Sequence, residues 1–133
     1  MATIHGANVL PSLLIVEDSA PIRFGLTEYF RTRGYNVDAA GELEEALALL
    51  TSRGYDLVIT DLRLSEVGQV EGLDVIAEIR ERYPDTRVIL LTAYGSPAVE
   101  AAAIHLGVDL FLQKPIRLGE LEQAAVGLLR QAA

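Results

Sequence analysis

Cysteine is absent from this chain of 133 residues, and lysine occurs once. Without a thiol there is no disulfide, no thiolate metal site and no cysteine nucleophile. No apolar run approaches the ~18 residues that a membrane-spanning helix needs, because Gly, Pro and Ser interrupt the longest uncharged stretches. Residues 1–11 have no basic n-region, so they read as a lead-in and not as a secretory signal. Positive charge is also scarce: 11 Lys and Arg against 19 Asp and Glu leave a net charge of −8. That balance argues against direct binding of nucleic acid, whose affinity comes largely from neutralising phosphates. No internal repeat, low-complexity tract or linker interrupts the chain. Length and composition lead us to expect one compact cytoplasmic domain over residues 12–131, with no output domain and no membrane insertion.

The single lysine is informative. Ten other basic positions are arginine, and Lys114 stands in Gln113-Lys114-Pro115 after the apolar run Leu110-Phe111-Leu112. A lysine ammonium is a compact point charge on a flexible stem, whereas arginine is a planar fork suited to bidentate pairing. A site that must reach one carboxylate or phosphoryl oxygen from a strand end calls for the former.

Three more apolar runs end in polar residues. Leu13-Leu14-Ile15-Val16 leads into Glu17-Asp18, Leu57-Val58-Ile59-Thr60 into Asp61, and Val88-Ile89-Leu90-Leu91 into Thr92. Short continuous apolar runs rich in β-branched residues fit strands buried on both faces of a parallel sheet. Tyr35 to Ala39 reads as the second strand, and Leu110 to Leu112 as the fifth. Between them, sets such as Leu43, Ala46, Leu47 and Leu50 recur with helical spacing. The chain thus reads strand–helix five times: an α/β, doubly wound, five-stranded parallel sheet with five helices. Ser19 and Ser96 are placed as N-caps, followed by Pro21 and Pro97 in the first helical turns. Gly34, Gly54 and Gly107 are placed as left-handed helix stops.

In such a sheet, ligands bind beyond the carboxyl ends of the strands, where strand order reverses. If the order is 2-1-3-4-5, Glu17, Asp18, Asp61, Thr92 and Lys114 would converge there. Clustered carboxylates repel one another and are best tolerated beside a cation. Oxygen-only ligation of this kind suits Mg²⁺, and Mg²⁺ beside a nucleophilic oxygen is the logic of phosphoryl transfer. Asp18 has a simpler alternative as a helix cap, and Glu17 as a solvated loop charge.

These motifs together resemble the response-regulator receiver domain of bacterial two-component signalling. They are Leu14-Ile15-Val16-Glu17-Asp18, Val58-Ile59-Thr60-Asp61-Leu62-Arg63-Leu64, Leu91-Thr92-Ala93-Tyr94-Gly95, and Leu110-Phe111-Leu112-Gln113-Lys114-Pro115. The resemblance covers Ser12 to about Gln131 and implies the flavodoxin-like strand order 2-1-3-4-5. It implies that Asp61 is the phosphoacceptor, taking a phosphoryl group from a sensor histidine kinase or a histidine phosphotransfer protein. Such a protein catalyses its own phosphorylation and dephosphorylation without being a conventional turnover enzyme. Glu17, Asp18, Asp61 and the backbone carbonyl of Arg63 would hold Mg²⁺, with Lys114 and Thr92 contacting the phosphoryl group. Thr92 and Phe111 would form the switch that alters the surface of helix 4, strand 5 and helix 5 for a downstream protein or homodimer. Arg63 and Tyr94 would flank the path of the hydrolytic water and prolong the phosphoryl state. A cis Lys114–Pro115 peptide is also implied; only about 5–6% of X–Pro bonds are cis, so the resemblance alone supports it.

The chain departs from the family pattern between Asp61 and Gly72, where ten residues intervene at positions 62–71. The loop Ser65 to Glu71 is longer than usual and acidic, and the customary proline is replaced by Ser65. A receiver-like interaction module that signals without phosphorylation is the alternative reading. A nucleotide-binding protein of the same fold is disfavoured because Glu17-Asp18-Ser19, and not a Gly-rich phosphate loop, follows the first strand.

Overall fold

The computed structural model of the protein describes residues 10–61, 71–93 and 95–132. Five strands alternate with five helices: β1 (Ser12–Val16), α1 (Ala20–Thr32), β2 (Asn36–Ala40), α2 (Leu43–Ser52) and β3 (Leu57–Thr60) come first. They are followed by α3 (Glu71–Arg82), β4 (Arg87–Thr92), α4 (Pro97–Leu106), β5 (Leu110–Gln113) and α5 (Leu118–Ala132). All strand pairs are parallel, as the alternation predicts, and the order is β2-β1-β3-β4-β5, as the receiver resemblance implies.

Strand alternation divides the core between the two faces of the sheet. Leu14, Val16, Val58, Val88 and Leu90 point to one face, where they meet Ala46 and Leu50 of α2, Val75, Ile76 and Ile79 of α3, and Ala103 of α4. Leu13, Ile15, Leu57, Ile59, Ile89 and Leu91 point to the other, against Leu26 and Phe30 of α1 and Leu121, Ala125 and Leu128 of α5. A strand buried on both sides must be apolar at every position, which explains why β1, β3 and β4 read as unbroken runs.

The helix ends follow local chemistry. Ser19 Oγ accepts from Ile22 N at 3.4 Å, and Ser96 Oγ from Val99 N at 3.2 Å. Ser19 therefore caps α1, and Asp18 is left for another task. Gly34 and Gly107 adopt positive φ of 93° and 99°. Gly54 does not: α2 ends on Arg53 at φ −159°, and the chain runs out extended toward the buried Tyr55. Among the described residues, no helix is long and apolar enough to cross a membrane.

Candidate functional site

The sheet register determines which side chains meet. Val16 pairs with Thr60, so Glu17 and Asp61 are the first residues beyond two adjacent strands, and Asp61 N donates to Val16 O at 3.0 Å. Thr92 pairs with Gln113, and Lys114 N donates to Thr92 O at 2.9 Å. Glu17, Asp61, Thr92 and Lys114 thus all stand at one end of the sheet.

Lys114 leaves β5, two strand positions from β3, a separation of ~10 Å at the usual spacing. Its stem crosses β4 and brings Nζ to 2.7 Å from Glu17 Oε1 and 3.1 Å from Asp61 Oδ2. Glu17 is 4% exposed and Asp61 6%, so these are charges held largely out of water. Asp18 is exposed, yet its carboxylate joins theirs: one ligand oxygen from each of Glu17, Asp18 and Asp61 lies within 4.8 Å of the others. This oxygen-only donor set fits a hard divalent cation such as Mg²⁺. Thr92 is fully buried at the end of β4. The Lys114–Pro115 peptide is cis.

Burial raises the Glu17 carboxyl above its ordinary pKa, more strongly than the bonds from Lys114 and Ser19 N lower it; the nearby Asp61 charge also raises it. Burial pulls the Lys114 ammonium down. The bonds and charges of Glu17 and Asp61 outweigh that effect, and its pKa ends above the ordinary value. The pocket therefore keeps a cation of its own against the carboxylates.

Phe111 is half-buried against the α2–α4 side of the core, and Gly95 lies against its ring. Gly95, Ser96, Phe111 and Gln113 line an open cavity of about 520 Å³ between the start of α4 and β5. Arg63, Tyr94 and the loop from Ser65 lie outside the described residues.

One contributor escapes the sequence reading. Arg23 of α1 donates through Nη1 to the main-chain oxygens of Glu17 at 2.8 Å and Asp18 at 3.3 Å. Nothing marks it in the sequence, where it is one of ten arginines.

A protein-family model described as response regulator receiver domain matches residues 13–126. The chain belongs to that family. The photosynthetic apparatus regulatory protein RegA of Cereibacter sphaeroides is 35% identical over 113 residues, 85% of this chain and 60% of RegA. The chain thus spans about three fifths of that relative's length. The signal receiver domain of an HD domain-containing protein from Pseudomonas fluorescens Pf-5 superposes with a TM-score of 0.85 at 31% identity, covering 93% of this chain and 98% of that one. The beryllofluoride-activated receiver domain dimer of NtrC4 gives a TM-score of 0.82 at 26% identity over 92% of this chain and 98% of that one. The receiver resemblance and the doubly wound fold read from the sequence agree with these matches.

Proposed function

We propose that this receiver domain is a phosphorylation-dependent switch in which Asp61 accepts a phosphoryl group from a phosphohistidine of a sensor kinase or phosphotransfer protein. The observation that carries this reading is the bridge from Lys114 Nζ to both Glu17 and Asp61, with Asp18 completing the carboxylate cluster. A carboxylate oxygen of Asp61 attacks phosphorus; the new P–O bond forms as the P–N bond breaks, and the imidazole nitrogen keeps the electron pair. Hydrolysis of the acyl phosphate later returns the carboxylate and inorganic phosphate.

Phosphoryl transfer asks a protein mainly for positioning and charge stabilisation. Glu17, Asp18 and Asp61, helped by the Arg63 carbonyl, would hold Mg²⁺, which when bound supplies neutralising charge for the incoming phosphoryl oxygens. Lys114 orients the Asp61 carboxylate beforehand and follows the charge as it spreads onto the phosphoryl group. The Thr92 hydroxyl donates to another phosphoryl oxygen and draws the chain after β4 inward, and Phe111 turns in response. The altered surface of α4, β5 and α5 then meets a downstream protein or a second copy. Supporting this, α4 buries only Ala103 fully among its residues and exposes Ile104 to 60%, so few side chains fix its position. Elements that move in switching come from such weakly anchored regions. The cytoplasm is the compartment for this role.

The decisive experiment is incubation with acetyl phosphate and Mg²⁺. One phosphoryl group, labile to base and hydroxylamine, is expected on the wild type, and none on Asp61→Asn, because an amide is not a nucleophile here. Asp18→Ala should weaken Mg²⁺ binding. Thr92→Val should still be labelled but lose about 1.5–3 kcal/mol of phosphoryl contact, with smaller chemical-shift changes in α4. Undiminished labelling of Asp61→Asn would remove Asp61 as acceptor. No labelling of the wild type would favour the phosphorylation-independent module.

A further inference from the structure

Arg23 is half-buried, one turn before Leu26 and Thr27 on the face that α1 buries. One guanidinium nitrogen clasps the consecutive main-chain oxygens of Glu17 and Asp18. These residues leave the sheet at the bond from Glu17 N to Ala40 O, 2.9 Å long, and carry two of the three clustered carboxylates. Arg23 is itself fixed, since its N donates to Ser19 O at 2.8 Å and its O accepts from Thr27 Oγ1 at 2.7 Å.

Gly41 supplies an independent observation from another part of the chain. A Cβ on Gly41 would stand 2.8 Å from Arg23 Nη1 and 3.3 Å from its Cζ. Gly41 does not share the positive φ of Gly34 and Gly107, so its backbone conformation does not call for glycine. What calls for glycine is the space that the guanidinium fills. Gly41 N is held by Glu45 Oε1 at 2.8 Å, so the wall behind the guanidinium is itself anchored.

We propose that Arg23 is a positioning residue for the cation site, its guanidinium wedged between Gly41 and the Glu17–Asp18 main chain so that both carboxylates are held toward Asp61. This rests on the reading of Glu17, Asp18 and Asp61 as a Mg²⁺ site. Pre-organisation of that kind comes from groups outside the ligand set, and it fails when they are left loose. A guanidinium suits the task because it stays charged and presents its donors in a rigid plane.

The test uses the whole chain, with Mg²⁺ followed by amide chemical shifts. In Arg23→Gln the Mg²⁺ Kd should rise about 10-fold, the scale typical of losing a ligand-orienting partner. Arg23→Lys, which keeps the charge but not the fork, should recover part of that loss. Gly41→Ala touches none of the three clustered carboxylates, yet it should also raise Kd, because its methyl displaces the guanidinium. Its melting temperature should hold, since the displaced atoms end a flexible side chain. In metal-free protein the Ser19 amide, which donates to Glu17 Oε2 at 3.0 Å, should exchange several-fold faster in Arg23→Gln, on the order of a loosened local hydrogen bond. An unchanged Kd in both Arg23→Gln and Gly41→Ala would overturn the proposal while leaving the cation site intact. Absence of saturable shifts at Glu17, Asp18 and Asp61 in the wild type would instead bring down the cation reading, and this proposal with it.

Discussion

Gly95 lies so close to Phe111 that a Cβ on it would meet the ring Cζ at 2.8 Å and Cε1 at 3.2 Å. It would also meet Gln113 Nε2 at 2.5 Å, but that amide ends a flexible side chain and can swing away. The ring can give way into the neighbouring cavity that it lines. Gly95→Ala should therefore displace Phe111, at an overpacking cost of about 1–3 kcal/mol. If Phe111 reports the switch, the ring and α4 resonances of the unphosphorylated variant should move toward those of the wild type with beryllofluoride, a phosphoryl mimic. A ligand moves such an equilibrium only by its differential affinity for the two states, so beryllofluoride should produce a smaller further change. Shifts confined to residues 93–97 and 111, with the full response retained, would separate Phe111 from switching.

Lys114 decides how the carboxylates coexist without metal. In Lys114→Met the ammonium is gone while Glu17 and Asp61 stay buried, and a loss of about 1–3 kcal/mol is expected. This is below the ~3–5 kcal/mol of a fully enclosed pair, because the Lys114 side chain is 19% exposed. Mg²⁺ should restore more stability to this variant than to the wild type, since it no longer competes with an ammonium; binding to the native state alone stabilises by mass action. The pH dependence follows from the raised Glu17 carboxyl. The folded protein holds that proton to higher pH than the unfolded chain does, so stability falls as pH rises from the ordinary carboxylate value through the folded one. Without Lys114 that fall should steepen. Melting temperatures from pH 4 to 7, in EDTA and in Mg²⁺, check both points, and an equal Mg²⁺ effect in the two proteins would contradict the competition.

Much of this was legible because burial on both faces leaves a strand no polar positions, so β1, β3 and β4 announce themselves and their first polar residues mark the site. Lys114 was legible for a related reason, as the lone ammonium in an arginine-rich chain. The second strand begins at Asn36, one residue later than its apolar pattern suggests. Tyr35 is buried and looks like strand, but its N donates to Phe30 O at 3.1 Å, so it still belongs to the end of α1. Gly54 has the spacing of a left-handed stop, but a helix that runs straight into extended chain needs none. Arg23, Gly41 and Gly95 were illegible because their importance is a close approach between segments distant in sequence, and no local pattern encodes such an approach.

Asp109 anchors the end of the molecule opposite the acidic site. Its Oδ2 accepts from Arg80 Nη2 at 2.6 Å and Val88 N at 2.7 Å, and its Oδ1 from Arg87 Nη1 at 3.3 Å. Arg80 also donates to Gly107 O at 2.8 Å, Thr86 O at 2.8 Å and Pro84 O at 3.0 Å, tying the ends of α3 and α4 to the start of β4. Asp109→Ala would take the acceptor from Arg80 Nη2, Arg87 Nη1 and Val88 N, all partly buried. A loss of about 2–4 kcal/mol is expected, somewhat under that of a fully buried pair. Asp109→Asn, which keeps an acceptor, should cost less. Arg87 and Asp109 lie at the starts of β4 and β5, whereas Thr92 ends β4 and Asp61 follows β3 at the opposite edge, ~17 Å away along a six-residue strand. Stability and chemistry should therefore separate: the melting temperature falls, while the acetyl phosphate labelling rate per folded molecule stays at the wild-type value. A labelling rate that fell with stability, measured well below the melting transition, would show that β4 transmits the state of this clasp to the phosphorylation site.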